Sequence, residues 1–197
     1  GQQVRQVSWS SCIGTQIPQA VGAAWAMKKE KKDAVAFGFS GDGATSQPDF
    51  HAAMTFAAAF AAPVVIVCQN NHWSISVPTA RQTASRTIAV KGRAYGIPSV
   101  RVDGNDLLAV HTVLEAAADR ARRGGGPTFV EALTYRIGAH STSDDPTRYR
   151  TDAEVESWKK KDPVDRLARH LRRLGAIDDA SEKDLEAELG VEIGDVI

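Results

Sequence analysis

Two short apolar runs, each ending in a small polar motif and joined by one helix-length segment, constrain this sequence more than any other feature. Ala34 to Phe39 leads into Ser40-Gly41-Asp42-Gly43, and Val64 to Cys68 leads into Gln69-Asn70-Asn71-His72-Trp73. An apolar run without alternation is the pattern of a strand buried on both faces, as in a parallel sheet. Between them Pro48 to Ala62 is Ala-rich, carries Asp49 where a helix dipole favours negative charge, and stops at Pro63. Strand, helix and strand at this range predict an α/β fold, a mostly parallel sheet flanked by helices.

The rest of the chain fits that class. Gln3 to Ser10 alternates weakly, as a short strand would, and Ser10 to Thr15 is a small polar loop. Gln16 to Lys29 predicts a helix with Ile17, Val21, Ala24 and Trp25 on one face and Pro18 in its first turn. Ser99 to Asp103 and Thr128 to Thr134 are two further strands. Asp106 to Arg123 is an amphipathic helix closed by Gly124-Gly125-Gly126. Residues 136–150 form a polar loop, followed by short surface helices over 153–161, 162–174 and 181–189. The expected organisation is one α/β domain over residues 1–150, with 151–197 as its helical extension.

Composition excludes some classes of function. The 197 residues carry 24 basic and 24 acidic side chains, which gives no electrostatic reason to expect nucleic acid or a membrane surface. The longest apolar stretch, Ala57 to Cys68, is too short to span a bilayer. Cys12 and Cys68 have no neighbour at metal-ligand spacing, so a reducing compartment is expected and Cys68 should pack as a small hydrophobe. The chain starts with Gly and enters structure at once, so a preceding segment is expected.

In an open α/β sheet, ligands bind beyond the carboxyl ends of the strands. A right-handed crossover brings the ends that carry Asp42 and Asn71 together. A carboxylate and an amide oxygen are hard ligands that suit magnesium, which usually shares its octahedron with phosphates. Gly41 and Gly43 let a diphosphate approach the backbone, and the N-terminus of the following helix offers free N–H groups. Either motif alone could be an ordinary turn. Together, behind two strands with one helix between, they predict a magnesium-bound diphosphate. A dinucleotide site of the Rossmann kind is rejected, because no G-x-G-x-x-G follows the first clear strand.

These motifs also carry a resemblance. Gly41-Asp42-Gly43 and Asn70-Asn71, separated by residues 44–69, match the thiamine diphosphate signature. The blocks Thr15 to Gly22, Val102 to Asp106, Tyr135 to Gly138 and His140 to Asp145, running on to Tyr149-Arg150, resemble the alpha subunit of branched-chain 2-oxo acid dehydrogenases. Pyruvate and acetoin dehydrogenase alpha subunits are near relatives of that group. The resemblance implies that Asp42, Asn71 and the backbone carbonyl of Trp73 ligate Mg2+. It also implies that Gly43 and Ala44 hold the diphosphate and that Ser11 and Ile13 touch the aminopyrimidine. Ser10, Cys12, Thr15 and Gln16 match a loop that holds K+ in the branched-chain members. Two departures stand out. Asp42 replaces the Glu of some branched-chain members, and Gln69 stands where some relatives place a phosphate-binding Arg. The family supplies further phosphate ligands from a segment before Gly1.

For the 136–150 loop, the resemblance makes His140 the catalytic residue beside the cofactor, where it assists acyl transfer. An imidazole can exchange protons near neutral pH. Arg136, Asp144, Tyr149 and Arg150 would order the loop, and Ser141 matches a phosphorylation site of mitochondrial members. From composition alone the same stretch reads equally well as a mobile polar loop. His51, His72, His111 and His170 are read as packing or surface residues.

The implied activity is thiamine diphosphate- and Mg2+-dependent oxidative decarboxylation of a branched-chain 2-oxo acid, with acyl transfer to a lipoyl-bearing acyltransferase. The implied assembly is an α2β2 heterotetramer whose beta subunit completes the site, cytoplasmic in a bacterium and in the mitochondrial matrix in a eukaryote. Two alternatives stay open: pyruvate or acetoin as substrate, and a non-catalytic interaction fragment with an incomplete site.

Overall fold

The computed structural model describes residues 5–7 and 10–196. Of the strand expected over Gln3 to Ser10, Gln3, Val4, Ser8 and Trp9 lie outside the described residues, while residues 5–7 and 10 are turn or irregular backbone rather than strand; weak alternation over so short a stretch does not distinguish a strand from a loop. Along the chain run α1 (Gln16–Lys29), β1 (Ala36–Gly41), a 3-10 turn (Asp42–Ser46), α2 (Pro48–Ala59) and β2 (Val64–Asn70). A small hairpin follows, β3 (Trp73–Ser74) with β4 (Val77–Pro78), then α3 (Thr79–Gln82) and a second 3-10 segment (Ala89–Tyr95). Next come β5 (Ser99–Asp103), α4 (Leu107–Arg120) and β6 (Thr128–Leu133). The exposed helices α5 (Asp152–Lys159), α6 (Pro163–Arg173) and α7 (Asp179–Gly194) close the chain.

The sheet is parallel throughout, in the order β1-β2-β6-β5. Helices cover both of its faces, so the protein is α/β as the sequence predicts. On one face Ile17, Val21 and Ala24 of α1 and Phe50, Ala53, Met54 and Ala57 of α2 pack on Val64, Ile66, Cys68 and Phe129. On the other, Ala117 of α4 joins Val65, Val67, Val102 and Val130. Strand β2 lies between β1 and β6 and between both helix layers, and Val64, Val65, Ile66 and Cys68 are fully buried. Cys68 therefore packs as the small hydrophobe expected of it.

Strand β1 departs from the expectation of burial on both faces. It is the edge of the described sheet, and Phe37 and Phe39 stand 39% and 51% exposed on the α4 face. The apolar run reports hydrophobic side chains, not how many layers cover them. Trp25 is likewise 37% exposed, stacked on Phe60. The sequence also misses the β3–β4 hairpin and α3, which are too short to show a period. It shortens the last helix, whose start is fixed by a capping box at Asp178 and Ser181.

Helix α4 begins where Asp106 caps it by accepting the Ala109 N–H. It ends in a wide turn over Ala121–Gly125, with Gly124 in the left-handed region at φ 80°. Arg166 of α6 bridges Asp103 (2.6 Å) and Asp106 (2.9 Å), tying the helical extension to the carboxyl end of β5. Asn105 adds a bond to the Lys161 carbonyl.

Phe129 is fully buried with its ring 5.5 Å from that of Phe50. Phe129→Ala is expected to cost about 3–5 kcal/mol through lost burial and the cavity left behind. Urea unfolding of the full-length protein checks it; a shift below about 1 kcal/mol would mean that this layer is not the core.

Candidate functional site

The site grows out of the parallel pairing of β1 with β2. Gly41 is level with Gln69, so the chain leaves both strands side by side, at Asp42 and at Asn70-Asn71. Asp42 opens a 3-10 turn that the sequence does not announce, and α2 begins after it at Pro48, where the sequence places the helix. The N–H group of Gly43 stands at the start of that turn without a partner inside it, because its bonds reach only three residues back and begin with the Ala44 N–H on the Gly41 carbonyl. The turn touches β2, β3 and α3.

Asp42 is buried, and its Oδ2 accepts from Gln82 Nε2 at 2.5 Å. Its Oδ1 takes no hydrogen bond from a described residue. Asn71 Oδ1 accepts the Trp73 N–H at 3.0 Å, so its amide oxygen and the Trp73 carbonyl belong to one tight turn. His72, between them, lies in the left-handed region at φ 72°, and Ile75 at φ 54°. A β-branched residue there is strained, and such backbone persists only where its surroundings hold it. Asn70 Oδ1 accepts the His72 N–H (3.0 Å), and Arg136 donates to the Trp73 (3.3 Å) and Ile75 (2.6 Å) carbonyls.

Gly43 has a second reason to be glycine, beyond ligand approach. A Cβ there would stand 2.3 Å from Ser74 Oγ, so the turn and β3 touch only because that atom is missing. Around Gly41 a Cβ would meet nothing within 4 Å. Gly41 leaves open the space where the sequence predicts a diphosphate.

Buried polar atoms normally find partners. Among the described residues, the buried side-chain atoms without a partner of hydrogen-bond geometry are Ser40 Oγ, His72 Nε2, Trp73 Nε1, Gln82 Oε1, Tyr135 Oη and Arg136 Nε. Each belongs to a strand end, the turn beyond it, or a residue bonded to them. Burial, and after it the Arg101 charge, hold the His72 imidazole below its ordinary pKa. Its ring packs against Tyr135 and Trp158, so His72 is a packing residue beside the expected metal site, as its place between Asn71 and Trp73 in the sequence implies. An uncommitted carboxylate oxygen, an amide oxygen and a carbonyl beside open backbone form a donor set that fits a hard cation with a diphosphate. No group of three or more His, Cys, Asp or Glu able to hold a metal exists among the described residues. The expected set contains only one such residue.

The loop of residues 10–16 brings its four expected members together. Gln16 Nε2 donates to the Ser10 carbonyl (2.8 Å), Thr15 Oγ1 to the Cys12 carbonyl (3.0 Å), and the Cys12 N–H to Ser10 Oγ (3.1 Å). Ser11 and Ile13 are exposed beside them.

The 136–150 loop is built rather than loose. Arg136 donates to Tyr149 Oη (2.8 Å), Tyr149 donates to Asp144 Oδ2 (2.5 Å), and the same oxygen accepts the His140 N–H (2.9 Å). Arg150, buried, donates to the carbonyls of Arg136, Ile137 and Gly138. The His140 ring is exposed, and Ser141 Oγ lies 3.2 Å from Ser143 Oγ. Sequence reasoning missed Gln82, Lys91 and Glu131. Lys91 Nζ donates to Thr45 (2.9 Å to its hydroxyl), and Thr45 in turn donates to the Asp42 carbonyl (2.8 Å). None of the three belongs to a recognisable motif. Only the unexplained Glu131 inside an apolar strand was a signal.

A parallel α/β domain with an oxygen-rich crevice at two adjacent strand ends is the class that fold and site define. Within it, the chain belongs to the dehydrogenase E1 component family, whose model matches residues 2–197. It is 49% identical over 185 residues to the mitochondrial 2-oxoisovalerate dehydrogenase subunit alpha 2 of Arabidopsis thaliana, covering 93% of this chain and 39% of that protein. It is 50% identical over 175 residues to the 3-methyl-2-oxobutanoate dehydrogenase subunit alpha of Mycobacterium tuberculosis (89% of this chain, 48% of that one). A pyruvate dehydrogenase E1 component subunit alpha of Staphylococcus aureus is 46% identical over 183 residues (92% and 50%). The chain spans half or less of the length of these relatives.

Two outcomes follow from the geometry. In the full-length protein, Gly43→Ala should lower the melting temperature by forcing Ser74 aside, and adding Ser74→Gly should recover most of the loss; equal melting of both variants would contradict the contact. The Tyr149 hydroxyl, and then the His140 N–H, hold the Asp144 carboxyl below its ordinary pKa of 3.8. A depressed carboxylate stabilises the folded form above its unfolded pKa and loses that contribution as pH falls through the folded value. Protection of the 136–150 amides, measured as exchange relative to the intrinsic rate at each pH, should therefore fall below about pH 4, and Asp144→Asn should be poorly protected at every pH.

Proposed function

We propose that this chain is the cofactor-holding part of the alpha subunit of a thiamine diphosphate-dependent 2-oxo acid dehydrogenase. The observation that carries the reading is the level exit of β1 and β2, which sets Asp42 and the Asn71–Trp73 turn beyond adjacent strand ends, beside unpartnered buried polar atoms. The Asp42 carboxylate, the Asn71 amide oxygen and the Trp73 carbonyl would hold Mg2+. The N–H groups of Gly43 and Ala44 would hold the diphosphate, with Gly41 giving access. Ser11 and Ile13 would flank the aminopyrimidine. The bound cofactor supplies the electron sink for decarboxylation. Ser10, Cys12, Thr15 and Gln16 would hold K+, the carbonyls of the first two turning from their present donors to the cation.

His140 would act at the reacting centre, with its backbone fixed by Asp144 so that only the ring must move. Arg136, Tyr149 and Arg150 keep the loop near the Trp73 carbonyl. Phosphorylation of Ser141 would place nearly two negative charges beside His140 and the Asp144 carboxylate, which repels them. The helices after residue 150 would extend the same domain. A beta subunit in an α2β2 assembly would complete the site, and a lipoyl-bearing acyltransferase would accept the acyl group. The mitochondrial matrix of a eukaryote or the cytoplasm of a bacterium would be its place, supported by one relative named mitochondrial and others from bacteria; no helix among the described residues is long and apolar enough to cross a membrane.

A branched-chain 2-oxo acid is the preferred substrate, supported by the 49% and 50% identities to enzymes named for such acids. Pyruvate remains the second reading, supported by the 46% relative. Reconstitute the full-length protein with its beta subunit and compare kcat/KM for 3-methyl-2-oxobutanoate and pyruvate. The proposal expects the branched acid to be preferred by at least about tenfold, the scale of a few methylene contacts. It also expects Asp42→Ala to abolish Mg2+-dependent cofactor binding in calorimetry. Preference for pyruvate would reassign the substrate, and undiminished binding by Asp42→Ala would remove the site.

A further inference from the structure

Glu131 is a carboxylate in the middle of the sheet, 1% exposed, on β6 beside Cys68 of β2 and Arg101 of β5. A buried charge is costly unless it is paired and hydrogen-bonded. The Arg101 guanidinium stands 3.7 Å away, beyond hydrogen-bond distance, so the ion pair alone does not account for the residue. The carboxylate spends its two oxygens on two different segments. Oε1 accepts Asn70 Nδ2 at 2.8 Å, and Oε2 accepts the Ala89 N–H at 2.8 Å.

Both bonds lead to the cation ligands named above. On one side, Asn70 is fixed with its amide oxygen outward, where it accepts the His72 N–H (3.0 Å) and the Thr79 hydroxyl (3.1 Å). Those bonds hold the left-handed turn at His72, which stands between Asn71 and Trp73. On the other side, the 3-10 segment that starts at Ala89 carries Lys91, whose ammonium bonds Thr45, and Thr45 bonds the Asp42 carbonyl.

We infer that Glu131 is a positioning residue for the cation site, setting the Asn71–Trp73 turn and the Asp42 turn from one buried carboxylate; this rests on the reading of Asp42, Asn71 and Trp73 as ligands. Asn70, the first Asn of the motif, is the link that holds the turn, and Asn71 is the ligand. Groups behind metal ligands matter this much elsewhere: changing them commonly costs 10–100-fold in metal affinity.

The donor–acceptor pattern supplies a specific test. Glu131→Gln replaces one acceptor by a donor, which then faces the Asn70 amide N–H groups. Asn70→Asp sets a second buried carboxylate against the first. Combining both reverses the polarity of the bond and keeps the charge. The new amide donates to the new carboxylate and still accepts the Ala89 N–H, while the carboxylate still accepts from His72 and Thr79. The readouts are Mg2+ affinity, from titration of thiamine diphosphate binding to the heterotetramer, and melting of the metal-free tetramer.

Each single variant is expected to weaken Mg2+ binding by about 10–100-fold, and the exchanged pair to recover most of the loss. The inference is overturned if Glu131→Gln binds Mg2+ like the wild type, which would leave Glu131 a stability residue visible only in melting. It is overturned equally if the exchanged pair melts like the wild type yet binds as weakly as the single variants. Where a single variant does not assemble, the pair decides alone, supporting the inference by near-wild-type affinity and overturning it by weak binding. A wild-type tetramer without Mg2+-dependent binding would instead sink the reading of the site itself.

Discussion

Parallel pairing of β1 with β2 decides where every group at the site can stand. With Gly41 level with Gln69, the two chains leave the sheet next to each other and in the same direction. A slip by one residue would turn Asp42 from the crevice and exchange Val65 and Val67 with Ile66 and Cys68 between the two helix layers. Burial of both faces of β2 holds the register, so the hydrophobic core and the polar crevice are specified by one set of contacts.

Beyond the strand ends, hydrogen bonds replace packing as the organising force. The turn through His72 and Ile75 is strained, and Asn70, Arg136 and the β3–β4 hairpin hold it. The loop of residues 136–150 is anchored to the same hairpin through Arg136 and braced by Tyr149, Asp144 and Arg150. A change in that loop is thereby coupled to the Trp73 carbonyl. The polar atoms left without partners in this region show where the chain's own hydrogen bonding is incomplete.

Much of this architecture was readable from sequence, for definite reasons. The apolar runs at Val64 and Thr128, the stops at Pro63 and Gly124, and the Asp106 cap are local signals, and the elements they predict are present. Asp42 and Asn71 could be named because each follows a strand directly. Exposure of Phe37 and Phe39 could not be read, since an edge strand and a central one share the same composition. Nor could Gln82, Lys91 and Glu131, which reach the site through contacts between residues 40 or more apart in the chain. Gly43 was identified for ligand approach, whereas the structure adds its contact with Ser74.

The account stands on one cation bridging two strand ends. The most direct measurement is a crystal structure of the full-length protein, assembled with its beta subunit, thiamine diphosphate and Mn2+, with the ion located by anomalous scattering. The account predicts one peak about 2.0–2.3 Å from an Asp42 carboxylate oxygen, the Asn71 amide oxygen and the Trp73 carbonyl, completed by diphosphate oxygens. A peak held by other residues, with the Asp42 and Asn71 oxygens turned away from it, would contradict it.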